Sequence, residues 1–297
     1  MNADVFAHLF PREIRVMKLF LALPILVITS LSSTAYAINC QRASSDVEHL
    51  ICSNPAIVRA DADMNRAYAA ILKAAPDAEI HDMLVASQKR WIAAREAAFG
   101  DLDRATNGQT GETYPKDMQR KMVLKAIRGR TDQLKRRSDH EPGQFHFIQA
   151  ALDQRRYASQ FPRGDFTGFA TECFFYPRNQ NGSGDNYGYA CLGTIQYQNK
   201  ERICSETSEW ATYRVYTTRT VATLVAGVPK IVASCKDETC SGQGGDTASG
   251  GQAEAAGGGI VLDPPLPKLD AEVSGSPADD HDSWINPCLT DKKFSLM

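Results

Sequence analysis

Acid and base groups with spacing that could do chemistry cluster near the start of the chain: Glu48, His49 and Asp61, with Arg95 further along. A carboxylate or imidazole can move protons, and a carboxylate opposite a guanidinium can fix a fold. No nucleophile stands at a recognisable spacing from these groups. His140 and His146 are six residues apart without a His-x-x-x-His or Cys-x-x-Cys pattern, so no zinc site is expected. Ser183 lies in Gly182-Ser183-Gly184, which lacks the longer nucleophile-elbow pattern. Asn179, Asn181, Asp185 and Asn186 offer oxygen ligands but miss the calcium-loop spacing, and a turn is expected there. Tyr187, Tyr189, Trp210 and Tyr213 could stack on sugar rings, yet core positions of strands account for them equally well. No catalytic residue, metal or cofactor is assigned.

The elements that would carry the acid and base groups read as helices. Gln88, Trp91 and Arg95 fall at i, i+3 and i+7 and share one helix face, and Tyr68 stands seven residues after Asp61 on the helix before. The two helices are expected to meet through a mixed polar and aromatic seam. Asp61 and Arg95 would pair across it, with Gln88 and Tyr68 satisfying the remaining donors and acceptors. Ser44, Ser45 and Asp46 ahead of Glu48 start a short helix, and Pro55 suits the first turn of the next, which ends before Pro76. The third helix spans about Asp77 to Phe99, with Ile80, Leu84, Ser87, Trp91, Ala94 and Ala98 on one stripe. A fourth runs from about Lys116 to Arg137, with Met118, Met122, Ile127 and Leu134 inward. Eight basic residues between Arg120 and Arg137 face a single acid, Asp132, a pattern that fits a solvated face or an anionic-surface contact.

Cys40, Glu48, Ile51, Cys52, Asp61, Asn65, Tyr68, Gln88, Trp91 and Arg95 follow one another in an order that resembles the LprI-like N-terminal domain family of lysozyme inhibitors, over residues 38 to 137. The resemblance implies a disulfide-linked helical domain, a Cys40 to Cys52 bridge and a lysozyme as partner. Relatives often carry another Cys three residues after the Arg, but Ala98 stands there and no Cys occurs between Cys52 and Cys173.

Arg12, Arg15 and Lys18, the apolar run Leu19 to Leu31 and then Ala35-Tyr36-Ala37 make a secretory signal peptide over residues 1 to 37. The run is too short for a membrane span. Met17-Lys18 would itself make a normal signal start. Asn39 is too large for the residue a bacterial lipobox needs before its Cys. A periplasmic or secreted protein without a transmembrane segment after cleavage is expected, and the eight cysteines, all beyond Ala37, are expected as disulfides. A formal net charge of −2 gives no field for nucleic acid.

After Glu141-Pro142-Gly143 the helical period gives way to short aromatic and β-branched runs: Thr167 to Tyr176, Tyr187 to Tyr197, Arg202 to Glu206, Trp210 to Val225, read as two strands, and Lys230 to Cys235. These predict an antiparallel sheet or small sandwich over residues 138 to 240. Cys173 and Cys191 flank a turn-rich loop and could staple a hairpin. The six cysteines after Cys52 (Cys173, Cys191, Cys204, Cys235, Cys240 and Cys288) allow several pairings. Residues 241 to 297 are rich in Gly and Pro and read as disordered or loosely attached, except that Trp284 to Cys288 are expected to dock on the sheet.

The fold class expected is therefore α+β: an N-terminal disulfide-linked bundle of three to four helices, a small antiparallel β domain and a Gly/Pro-rich tail. Three functions follow in order of support. The first is an exported binding protein, which the resemblance implies could inhibit lysozyme and protect the cell wall. The second is a non-inhibitory envelope interaction module, and the third a glycan or peptide hydrolase. Lysozymes of the animal type are strongly basic, so Asp77, Glu79, Asp82, Asp101 and Asp103 around the ends of the third helix are the expected contact patch.

Overall fold

The computed structural model describes residues 37–104, 111–177, 187–211, 214–236, 239–242, 263–270, 272–273 and 284–294. The signal-peptide segment up to residue 36, Ser183, and the loop holding Asn179, Asn181, Asp185 and Asn186 lie outside the described residues.

A 3-10 turn, Cys40–Arg42, leads into α1, Asp46–Cys52. Ser45 and Glu48 form a reciprocal capping box, in which Ser45 Oγ accepts from the Glu48 amide while Glu48 Oε2 accepts from the Ser45 amide. In α2, Pro55–Ala74, Pro55 takes the first turn and Asn54 caps it. Asp77 caps α3, Ala78–Phe99, and α4 is Lys116–Lys135. Their apolar stripes converge on Ile57, Met64, Ile71, Ile80, Leu84, Trp91, Met122 and Ile127, all at most 2 % exposed. Cys40 and Cys52 are joined, tying the start of this segment to α1.

A further helix, α5, His146–Ala158, lies within the stretch expected as β domain. Pro142 and Gly143 only turn the chain. Arg137 and Phe145 then pair in an isolated bridge, and Phe147, Ile148, Ala151 and Gln154 resume a helical stripe against the core.

The sheet is a six-stranded antiparallel meander in sequence order: β1 Gly168–Pro177, β2 Tyr187–Asn199, β3 Arg202–Ala211, β4 Arg214–Val225, β5 Val228–Lys236 and β6 Thr239–Gly242. No second sheet is present among the described residues, so the sandwich alternative is not taken. Cys173 and Cys191 are directly opposite in the β1–β2 register and are bonded. Alternation along β1 and β2 sends Phe175, Tyr187 and Tyr189 toward the helices. Phe175 meets Trp91 and Phe99 with ring centroids at 6.3 and 5.1 Å, and Tyr187 meets Phe99 at 5.5 Å.

The tail is placed at two stations. A short helix, α6, Ile285–Thr290, docks under the sheet as expected: Cys288 is bonded to Cys204 and Trp284 Nε1 donates to Glu206 at 2.7 Å. Residues 263–270 with 272 and 273, expected to be loose, instead form a strap with Leu269, Asp270 and Val273 buried. At Gly168 the strap passes so closely that a Cβ would meet Leu266 Cβ at 2.4 Å and the Pro267 carbonyl oxygen at 2.7 Å. The Phe169 amide donates to that same Pro267 oxygen. The remainder of the low-complexity tail is outside the described residues.

Candidate functional site

The helical seam forms, but with different partners from those expected. Asp61, 3 % exposed on α2, accepts from the backbone amide of Ile38 at 2.8 Å and from Asn65 Nδ2 at 3.1 Å. Burial raises its pKa, opposed by the Ile38 amide, by the field of Arg95 and by Asn65. No ion pair joins Asp61 to Arg95. The Arg95 side chain folds back over the Trp91 indole, 5.4 Å from its centroid, and its Nη2 donates to the neighbouring Glu96 at 2.6 Å. Gln88 is also redirected: its Oε1 accepts from Arg130 Nε at 3.0 Å. Tyr68 is buried in the same core, and desolvation raises its pKa. Glu48 is committed to the α1 cap, where the Ser44 amide holds its carboxyl below the usual range. Glu48, Asp61 and Gln88 are thus each held by hydrogen bonds within the helical segment.

A buried charge network escaped the sequence reading. Arg130, 1 % exposed and one of the eight basic residues between Arg120 and Arg137, turns inward. It donates to Glu272 of the strap and, from Nη2, to Ser87 Oγ at 2.7 Å. Ser87 in turn donates to Glu272, and Tyr189 Oη donates to Glu272 Oε2 at 3.0 Å. Arg90 Nη2 lies 2.7 Å from Asp270 Oδ2. The Gln154 amide exchanges two bonds with the Asp270 backbone. Burial raises the Asp270 pKa against the pull of Arg90, and it pushes the Tyr189 hydroxyl far up. The available signal was positional: Arg130 sits three residues after Ile127 and four before Leu134, on the apolar stripe.

Glu272 also approaches Cys173 and Cys191, and these three are the group among the described residues close enough to share a metal ion. The donor set does not suit one. The sulfurs are bonded to each other, so neither is a thiolate, and Glu272 already accepts from Arg130, Ser87 and Tyr189.

The acidic residues chosen from sequence fall into two separate groups. A rise of 1.5 Å per residue puts the ends of α3 about 30 Å apart. At its start, Asp77 and Glu79 both pair with Arg155 of α5, at 2.7 and 2.8 Å, while Asp82 is 83 % exposed with only the His81 ring nearby. Hydrogen bonds from Arg155 hold the Asp77 carboxyl down at about 2. At the other end Asp101 pairs with Arg104, and Asp103 pairs with Lys116, which lowers its pKa. Asp103 and His49 line one surface groove of about 290 Å³ together with Phe99 and Arg120. Asp77 and Glu79 thus share one guanidinium at the start of α3 and Asp82 has none, whereas each carboxylate at its end has its own cation. The arginine and lysine come from segments distant in sequence.

Residues 38–134 match the family model described as Lysozyme inhibitor LprI. The span covers the 3-10 turn, α1 to α3 and nearly all of α4, which is the part of the chain whose motif residues build the seam. No match covers the sheet or the tail. No curated protein and no solved structure matches the chain. Of the aromatic side chains considered for sugar stacking, Tyr187 and Tyr189 are half-buried against the LprI-matching helices, and Trp210 stays 40 % exposed beside Tyr176. The Tyr213 side chain is outside the described set.

Proposed function

We propose that the mature chain is an exported, non-catalytic protein that binds a lysozyme and slows lysis of the cell wall. The LprI match over residues 38–134 carries this reading. Three further observations agree with it: the signal-peptide pattern of residues 1 to 37, the disulfides, and motif carboxylates committed to capping and folding. No described helix is long and apolar enough to cross a membrane.

The contact we assign is the start of α3, centred on Glu79 and Asp82. That group keeps an excess of negative charge after Arg155 is counted, so it suits a strongly basic enzyme. Attraction between exposed charges falls as salt screens it, and the association rate falls first. The test is a wall-lysis assay with the mature protein and several lysozyme types at low and high salt. Protection at low salt that weakens with salt supports the reading. Absence of protection at low salt by folded protein refutes it and favours a non-inhibitory envelope module.

A further inference from the structure

Ala37 is exposed, and Ile38 is the first of the described residues to pack on the helical core. The Ile38 nitrogen already donates to Asp61 Oδ2 at 2.8 Å, and the Cys40–Cys52 bond two residues later limits its freedom to move. Asp61 is nevertheless poorly compensated. Its side-chain partners are an uncharged amide of the backbone and the uncharged amide of Asn65, and the Arg95 guanidinium that acts on it from a distance is bound to Glu96. Among the described residues no cation contacts it, a costly state for a carboxylate only 3 % exposed. The bond preceding Ile38 is the one that the small-x-small triplet Ala35-Tyr36-Ala37 marks for cleavage.

We propose that hydrolysis of the Ala37–Ile38 bond completes this fold, by placing the new α-ammonium group of Ile38 against Asp61 as its counter-ion. Water adds across the peptide bond. Its oxygen stays on the Ala37 carbonyl carbon as a carboxylate, and the nitrogen departs with Ile38 as an amine that takes up a proton near neutral pH. The nitrogen need not move, since the same atom is already at hydrogen-bond distance, and it gains charge and two further donors where it stands. Leader removal thereby becomes a stabilising event: the uncleaved chain holds Asp61 with neutral donors only, and the cleaved chain holds it with an ion pair. Arg95 and Glu48, the other charged groups around this corner, are present in both forms.

The inference rests on the export reading only through the cleavage point. Its test compares two purified oxidised chains, one beginning at Ile38, released from a fusion without extra residues, and one retaining Ala37, each with and without Asp61→Asn. The chain beginning at Ile38 is expected to melt about 5 °C or more above the chain retaining Ala37, and Asp61→Asn is expected to abolish that difference. Equal melting of the two chains with Asp61 in place overturns the proposal. A second readout needs no extension. The Ile38 amine should react with a succinimidyl ester about tenfold more slowly than in Asp61→Asn, because each unit of raised pKa removes that much free amine. Equal reactivity overturns it. N-terminal sequencing of exported protein should give Ile38, and any other start overturns the proposal while leaving lysozyme binding to be decided by the lysis assay.

Discussion

Removing Arg130 is the sharpest perturbation of the link between the helices and the strap. Arg130 is 1 % exposed and its three side-chain nitrogens are engaged with Gln88, Ser87 and Glu272. Arg130→Met keeps much of the volume but leaves Glu272, whose side chain is 3 % exposed, with two neutral donors and with Arg90 at 3.9 Å. Breaking a buried pair from one side costs about 3 to 5 kcal/mol, because the stranded charge keeps its desolvation penalty. At about 2 to 4 °C per kcal/mol for a chain of this size, melting should fall by roughly 6 to 20 °C. Glu272→Gln alone should cost less, since the remaining cation can reach Gln88 and Ser87. The double variant should recover part of the Arg130→Met loss, with a coupling of about 1 to 3 kcal/mol in a cycle followed by urea unfolding. Additive losses, or a single-variant loss below about 1 kcal/mol, would show that the strap is not held by this pair.

Other substitutions separate the parts of the account. Arg95→Ala should cost only about 1 to 2 kcal/mol, the worth of its stacking on Trp91 and its pair with the partly exposed Glu96, whereas Trp91→Ala, a core truncation, should cost about 3 to 5 kcal/mol by thermal or urea melting. Gly168→Ala should displace the strap, read as faster proteolysis between residues 263 and 273, because the added methyl meets Leu266 and the Pro267 carbonyl. Asp77→Asn keeps a capping side chain but loses the charge that Arg155 binds. With its pKa held at about 2 in the folded chain, below the ordinary carboxylate range, Asp77 contributes stability that is fully present above about pH 5 and lost as pH falls through about 2. The difference in melting between wild type and Asp77→Asn should therefore be constant from pH 5 to 7 and vanish near pH 2.

Much of this fold is legible in local pattern. Capping at Ser45, Asn54 and Asp77, the stripes of α2 to α4 and the period-two runs of the strands each depend on residues close in sequence. The misreadings of α5 and of the strap share a cause, which is that their partners are distant. Helix α5 has a short stripe behind Pro142 and Gly143, and it becomes legible only when Phe147 and Ile148 are seen against the core. The strap carries little apolar surface of its own, and it is Arg90 and Arg130, some 140 or more residues earlier, that hold its two carboxylates. Arg95 was assigned to Asp61 by helix register alone, yet its flexible stem reaches a nearer acid. The expected acidic patch is divided and partly neutralised, by Arg155 at the start of α3 and by Lys116 beyond its end.

The most direct test of the central claim is the rate of wall lysis by a basic lysozyme with increasing mature protein at low salt, repeated with Glu79→Lys/Asp82→Lys, which leaves the Asp77 cap in place. The account predicts saturable protection by the wild type, weaker protection at high salt, and a slower onset of inhibition for the double variant, which still folds although it loses the Glu79–Arg155 pair. Lysis that proceeds at the uninhibited rate in the presence of folded wild-type protein would contradict it.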